Sequence, residues 1–180
     1  MESPSSVASG RVLISLQFPK EYPYVLLLTV VLCLECLILG MIVPGRARGK
    51  VYGRTDIQDK IAELHESETG KPGRIVKNGF PDHGNGRFST DKMISYAQWF
   101  DLNRTQRCHQ NFLEQLTPVC VLLLVSGMQL PVISSVIAVF YGISRLLYGM
   151  QNRVIGFVAG NICIVALILG ALYASGYIIS

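Results

Sequence analysis

The sequence predicts an all-α integral membrane protein, a four-helix transmembrane bundle in one membrane domain over residues 1–180. Three observations lead there. Half of the residues are hydrophobic and only 16% are charged. Apolar segments recur at Tyr22 to Val43, Leu116 to Leu130, Pro131 to Leu147 and Val154 to Ile179. The charges collect in a central block between the first and second of these segments. A hydrocarbon core of about 30 Å takes about 20 apolar residues as helix, so the first and last segments cross unaided. The middle two cross when their polar ends belong to the helices, which gives expected spans at about 22–43, 103–129, 132–150 and 154–179, and a loop at about 44–100.

The first segment is longer than a signal-peptide core, and no small-residue cleavage site clearly follows it, so it reads as a retained anchor. Glu35 lies inside it, where a packing role beside a neighbouring helix is favoured over catalysis. Of the sixteen Lys and Arg residues, twelve lie between Pro44 and Arg107, and the turn at Ser126 to Pro131 has none. The excess of positive charge on cytosolic loops then puts the central block in the cytosol and both termini on the other side. The net charge of +4 follows from this topology and is no sign of nucleic-acid binding.

Within the central block, Thr55 can cap a short helix in which Ile57, Ile61 and Leu64 recur at i, i+4 and i+7, stopping near Gly70 to Gly73. It reads as a surface helix lying on the bundle. The stretches GKPGR and GNGR supply turns and charge, but have neither the spacing nor the strand context of a phosphate loop. Tyr96 and Trp99 suit an interfacial position ahead of the second span.

The second span carries Asn103 to Glu114, read NRTQRCHQNFLE, directly against an apolar run of only fifteen residues. That run is roughly 22 Å long as helix, so the polar groups are drawn into the bilayer edge, where ionisable side chains mark a site by default. Pro118 is expected to kink this helix. In the fourth segment Gly156 with Gly160, and Ala166 with Gly170, form small-residue pairs that suit close helix packing.

Five cysteines do not make a disulfide framework here: Cys33, Cys36, Cys120 and Cys163 sit in apolar helix and Cys108 at a helix end. Cys33 and Cys36 form a C-x-x-C with no second ligand pair, and His65, His83 and His109 lack metal-ligand spacing, so no metal site is expected. Asn103 to Thr105 is a glycosylation sequon whose cytosolic placement predicts that it stays unmodified.

The tight turn between the second and third spans puts residues equally far from it at similar depths. Arg104, Arg107, Asn111 and Glu114 fall on one helical face, as do Tyr141, Arg145, Tyr148 and Asn152, and the two sets meet in matching layers near the cytosolic surface. Arginines together with a carboxylate, an amide and a phenol suit a ligand of mixed charge with an anionic excess, because the guanidinium fork pairs with carboxylates. Glutathione fits: Glu114 for its ammonium, Arg107 and Arg145 for its carboxylates, Asn111 for a backbone amide. An interhelical network without a ligand, such as Glu114 with Arg145, fits the spacing equally.

The run RTQRCHQNFLE resembles the signature of the MAPEG family, the membrane-associated proteins in eicosanoid and glutathione metabolism. KEYPYVLLL at Lys20 and ARGKVY at Ala47 resemble the two ends of the first helix in its microsomal glutathione transferases, the type 3 branch especially, and RLLYG at Arg145 and RVIG at Arg153 resemble the third and fourth helices. The resemblance covers the four spans and leaves the central block outside. It implies a homotrimer in microsomal membranes, that is, the endoplasmic reticulum, with glutathione as co-substrate on the cytosolic side. A lipophilic electrophile or lipid hydroperoxide would arrive through the membrane lipids. By position, Arg48, Arg107, His109, Asn111, Glu114, Arg145 and Tyr148 would bind glutathione, and Arg153 with Tyr148 would stabilise its thiolate. Asn152 stands where many members have a second Tyr, and Gly49 where a second basic residue is common.

The competing reading is a non-catalytic lipid-binding scaffold of the same architecture, like the lipoxygenase-activating member of that family. That member lacks the full ligand set, whereas Arg107, Asn111, Glu114, Arg145 and Tyr148 are present here. A transporter or channel subunit is disfavoured by the lack of broken helices.

Overall fold

The computed structural model describes residues 18–72, 93–149 and 152–179. These form five helices: α1 (Tyr22–Tyr52), α2 (Thr55–Thr69), α3 (Tyr96–Gly127), α4 (Pro131–Gly149) and α5 (Arg153–Ile179), with no strand among the described residues. His83 and the GNGR stretch, together with the Gly73–Arg74 end of GKPGR, lie outside them. Three helices, α1, α4 and α5, are long and apolar enough to cross a membrane. The N-terminal half of α3 carries the polar run, which removes that helix from the same class.

In α1, Pro23 sits in the first turn, where its missing N–H costs no helical hydrogen bond. The helix does not stop at Pro44 but continues through Arg46, Arg48 and Lys50 to Tyr52. Its 31 residues span about 46 Å, so the last turns carry cations clear of an apolar layer of about 30 Å. Positive charge there also complements the C-terminal end of the helix dipole.

The short α2 forms where the apolar spacing indicates. Ile57 and Ile61 are buried against Val51, Tyr52 and Leu102, and Gly70 ends the helix in the left-handed region at φ 66°. Thr55 is the first helical residue and not the cap, which is Arg54. The Arg54 guanidinium pairs with Asp56 at 2.8 Å and holds that carboxyl below its usual range.

Helix α3 begins at Tyr96, a full two turns before Arg104, because Ser95 and Gln98 form a reciprocal capping box. Its C-terminal end turns tightly into α4, where the Ser126 carbonyl accepts the Leu130 N–H and the hydroxyls of Ser126 and Ser134 lie 2.9 Å apart. Helices α1 and α5 flank the α3–α4 pair. Val25, Leu32, Phe112, Leu123, Tyr141 and Leu167 fill the core between them. Leu27, Met41, Phe140, Ile162 and Leu172 point outward and are exposed, the inverse of a water-soluble helical domain.

Glycines set the closest approaches. A Cβ on Gly156 would lie 2.5 Å from the Tyr148 nitrogen, and one on Gly160 would strike the Arg145 guanidinium. The small pair therefore joins α5 to α4 within one chain.

Candidate functional site

A cleft of about 990 Å³ opens between α1 and α3. Gly40, Pro44 and Gly45 keep the α1 wall low, and Arg48 stands one turn farther along it. On the facing wall of α3, Arg107, Asn111 and Glu114 follow at i, i+4 and i+7, with His109 and Gln110 among them. Arg107 and Glu114 are exposed to the cleft, and Glu114 Oε1 accepts a hydrogen bond from Gln110 Nε2 at 3.2 Å. The Arg48 guanidinium lies over the Tyr52 ring, 5.0 Å from its centroid. The His109 imidazole occupies the space left by the missing side chain of Gly40, so α1 and α3 approach closely there.

Behind this wall the amide of Asn111 donates to the Tyr148 hydroxyl at 2.8 Å, joining α3 to α4 at the depth that counting from the turn indicates. Two guanidinium groups approach the Tyr148 ring, Arg145 at 5.4 Å and Arg153 at 5.8 Å. Arg153 Nη2 donates to the Arg104 carbonyl at 2.8 Å and meets Cys108 Sγ at 3.0 Å. Its Nε is buried without a hydrogen-bond partner among the described residues.

Arg145 is placed differently. It is 2% exposed, lies against the rings of Tyr141 and Phe112, and none of its three side-chain nitrogens has a hydrogen-bond partner among the described residues. Glu35 stands within electrostatic reach, in room left by Gly142, and its Oε1 is likewise unpartnered among those residues. A charge so far from water is costly unless countered; here the counterweights are a nearby carboxylate and three aromatic faces.

The chain thus brings Arg48, Arg107, His109, Asn111 and Glu114 into one cleft, reaches Tyr148 through Asn111, and sets Arg153 behind Tyr148. Arg145 does not line that cleft, and the pairing of Glu114 with Arg145 is not made. The cleft is walled by the first and second long helices instead of the second and third. Depth was readable from the spacing, but rotation was not: Arg145 shares the inward face of α4 with Tyr141 and Ser144. Cys108 is the residue that sequence reasoning passed over. Its signal was the i, i+4 relation to Arg104 and Phe112, which sets it on the inner face of α3.

In comparison with known proteins, the model of the family described as MAPEG matches residues 25–173, a stretch reaching from α1 into the last turns of α5. No curated protein and no solved structure matches the chain.

Proposed function

Because the chain belongs to the MAPEG family, we propose that it is a membrane-bound glutathione transferase or peroxidase, activating the glutathione thiol for attack on lipophilic electrophiles or lipid hydroperoxides. Family membership and three membrane-length apolar helices make it an integral membrane protein with a role in glutathione or eicosanoid metabolism. The finer reading rests on one observation: a cleft that combines two arginines, one carboxylate and an amide, and is joined through Tyr148 to a further arginine. That charge pattern complements a tripeptide with two carboxylates and one ammonium.

In this reading Arg48 and Arg107 take the carboxylates, Glu114 the ammonium, and His109 and Asn111 the peptide groups. Arg145 acts from behind, against the Tyr148 ring. An ordinary thiol titrates near 8.5, and a guanidinium beside the sulfur favours the thiolate, the nucleophilic form. In this reading Arg153, beside the Tyr148 ring, and the Tyr148 hydroxyl donate to that sulfur. The thiolate then displaces a leaving group or adds to an electrophile approaching from the apolar faces of the helices. We place the cleft on the cytosolic side of the endoplasmic reticulum, α3 as a fourth span, and three copies in the assembly.

Adding glutathione to the purified protein and recording ultraviolet thiolate absorbance tests this directly. Absorbance that appears with glutathione, and a KM for glutathione raised about tenfold or more by Arg107→Ala, is the expected result. Absence of both thiolate absorbance and conjugation would overturn it, and lipid binding retained without either would favour the scaffold reading.

A further inference from the structure

Cys108 is buried, 7% exposed, on the inner face of α3, and sits between two polar partners. Its Sγ lies 3.7 Å from the Tyr148 carbonyl, which can accept the thiol proton, and 3.0 Å from Arg153 Nη2, which can donate to a bare sulfur. Burial opposes a charged sulfur, whereas the adjacent guanidinium favours one.

A second, independent feature faces the same sulfur. Cys108 lines a small pocket with His109, Phe112, Arg145 and Leu39, of about 10 Å³. That is room for one water-sized group. Arg145 lines it with a fully buried guanidinium whose three nitrogens have no hydrogen-bond partner among the described residues. A thiol and an arginine that line one small space suit a reagent whose leaving oxygen becomes negative. His109 lines both this pocket and the α1–α3 cleft, so the two spaces are one side chain apart.

We propose that Cys108 is a peroxide-reacting thiol that relays oxidising equivalents from a hydroperoxide to glutathione in the neighbouring cleft. The Cys108 thiolate attacks the outer oxygen of the –O–OH group, an S–O bond forms as the O–O bond breaks, and the departing oxygen leaves as an alcohol, or water, after taking a proton. The sulfur is oxidised to a sulfenic acid and the peroxide is reduced. Arg153 holds the thiolate, and Arg145 donates to the departing oxygen. One glutathione then forms a mixed disulfide with Cys108 and releases water. A second glutathione releases oxidised glutathione and restores the thiol. Only this second half rests on the glutathione reading of the cleft.

The test uses the purified full chain in lipid, treated with hydrogen peroxide or cumene hydroperoxide and then dimedone, with mass spectrometry of all five cysteines. Dimedone labelling of Cys108 ahead of Cys33, Cys36, Cys120 and Cys163, replaced by a glutathione adduct when glutathione precedes the trap, is expected. Reaction with hydrogen peroxide ahead of cumene hydroperoxide is expected from so small a space, and reaction with cumene hydroperoxide alone would overturn the role of the pocket. Cys108→Ser is expected to lower peroxide reduction about tenfold or more while conjugation of an aryl halide persists. Labelling of Cys108 no faster than of the other cysteines, or a sulfenate that glutathione does not resolve, overturns the relay. So does peroxide reduction unchanged in Cys108→Ser, an outcome that leaves the transferase reading standing. Trapping in the unaltered protein decides the matter should the Ser variant fail to fold. A chain that forms the sulfenate but neither ionises nor conjugates glutathione retains the first step and loses the reading of the cleft.

Discussion

Arg153 serves two partners at once, the Arg104 carbonyl and Cys108 Sγ, while its Nε is buried without a partner among the described residues. Removing one well-placed donor to a developing anion commonly costs a factor of about 10² to 10³ in rate. Arg153→Ala is therefore expected to abolish the thiolate absorbance of bound glutathione and to move the pH dependence of conjugation back toward that of a free thiol, near 8.5. A pH–rate profile unchanged in this variant would remove Arg153 from the role. Gly160 is a different kind of residue, needed for what it lacks. A methyl group there would strike the Arg145 guanidinium and come within 2.9 Å of Ser144 Oγ. Gly160→Ala is expected to cost about 1–3 kcal/mol, seen as a lower thermal midpoint in detergent, and Arg145→Met in the same background is expected to recover part of it.

Helices α2 and α3 depend on different local contacts. Helix α2 is held by Ile57 and Ile61 against Val51, Tyr52 and Leu102, outside the main core. Ile61→Ala is expected to cost about 2–5 kcal/mol of local docking energy, read as faster amide exchange confined to residues 55–69 with the long helices unchanged. Exchange that rises equally in α4 would show that α2 is part of the bundle's cooperative unit. Helix α3 depends on its start. With Ser95 replaced by Ala the capping box is lost, at about 1 kcal/mol, and fraying is expected in the turns ahead of Arg104 but not at Asn111. The tight α3–α4 turn needs no charged residue, because Ser126 closes it through its carbonyl and its hydroxyl.

Among the described residues most of the basic ones, Lys20 apart, gather at one end of the long helices. Arg46, Arg48 and Lys50 on α1 and Arg104 and Arg107 on α3 stand with Arg153, while the turn at Gly127 to Pro131 has none. Single cysteines at Glu63 and Gln129, placed in a chain whose own cysteines are replaced, are therefore expected to differ in sidedness. An impermeant maleimide applied from the cytosolic face is expected to label the first and spare the second, and the opposite pattern would invert the topology. The apolar segments, the helix at Thr55 to Thr69 and the common depth of Asn111 and Tyr148 were all legible in the sequence, because period and length are local properties of a chain. So was the common face of Arg107, Asn111 and Glu114 on α3. Sequence alone also determined the apolar exterior, since an apolar run as long as Tyr22 to Val43 is suited to a bilayer and not to water. Only the tertiary structure decided which neighbour each stripe meets. It turned Arg145 inward to Glu35 and Gly160, opened the cleft between α1 and α3 across Gly40, and brought Cys108 to Arg153. The physical reason is rotation about the helix axis: spacing fixes how side chains are arranged on one helix, whereas which helix they face is set by the packing of glycines and rings on all the others.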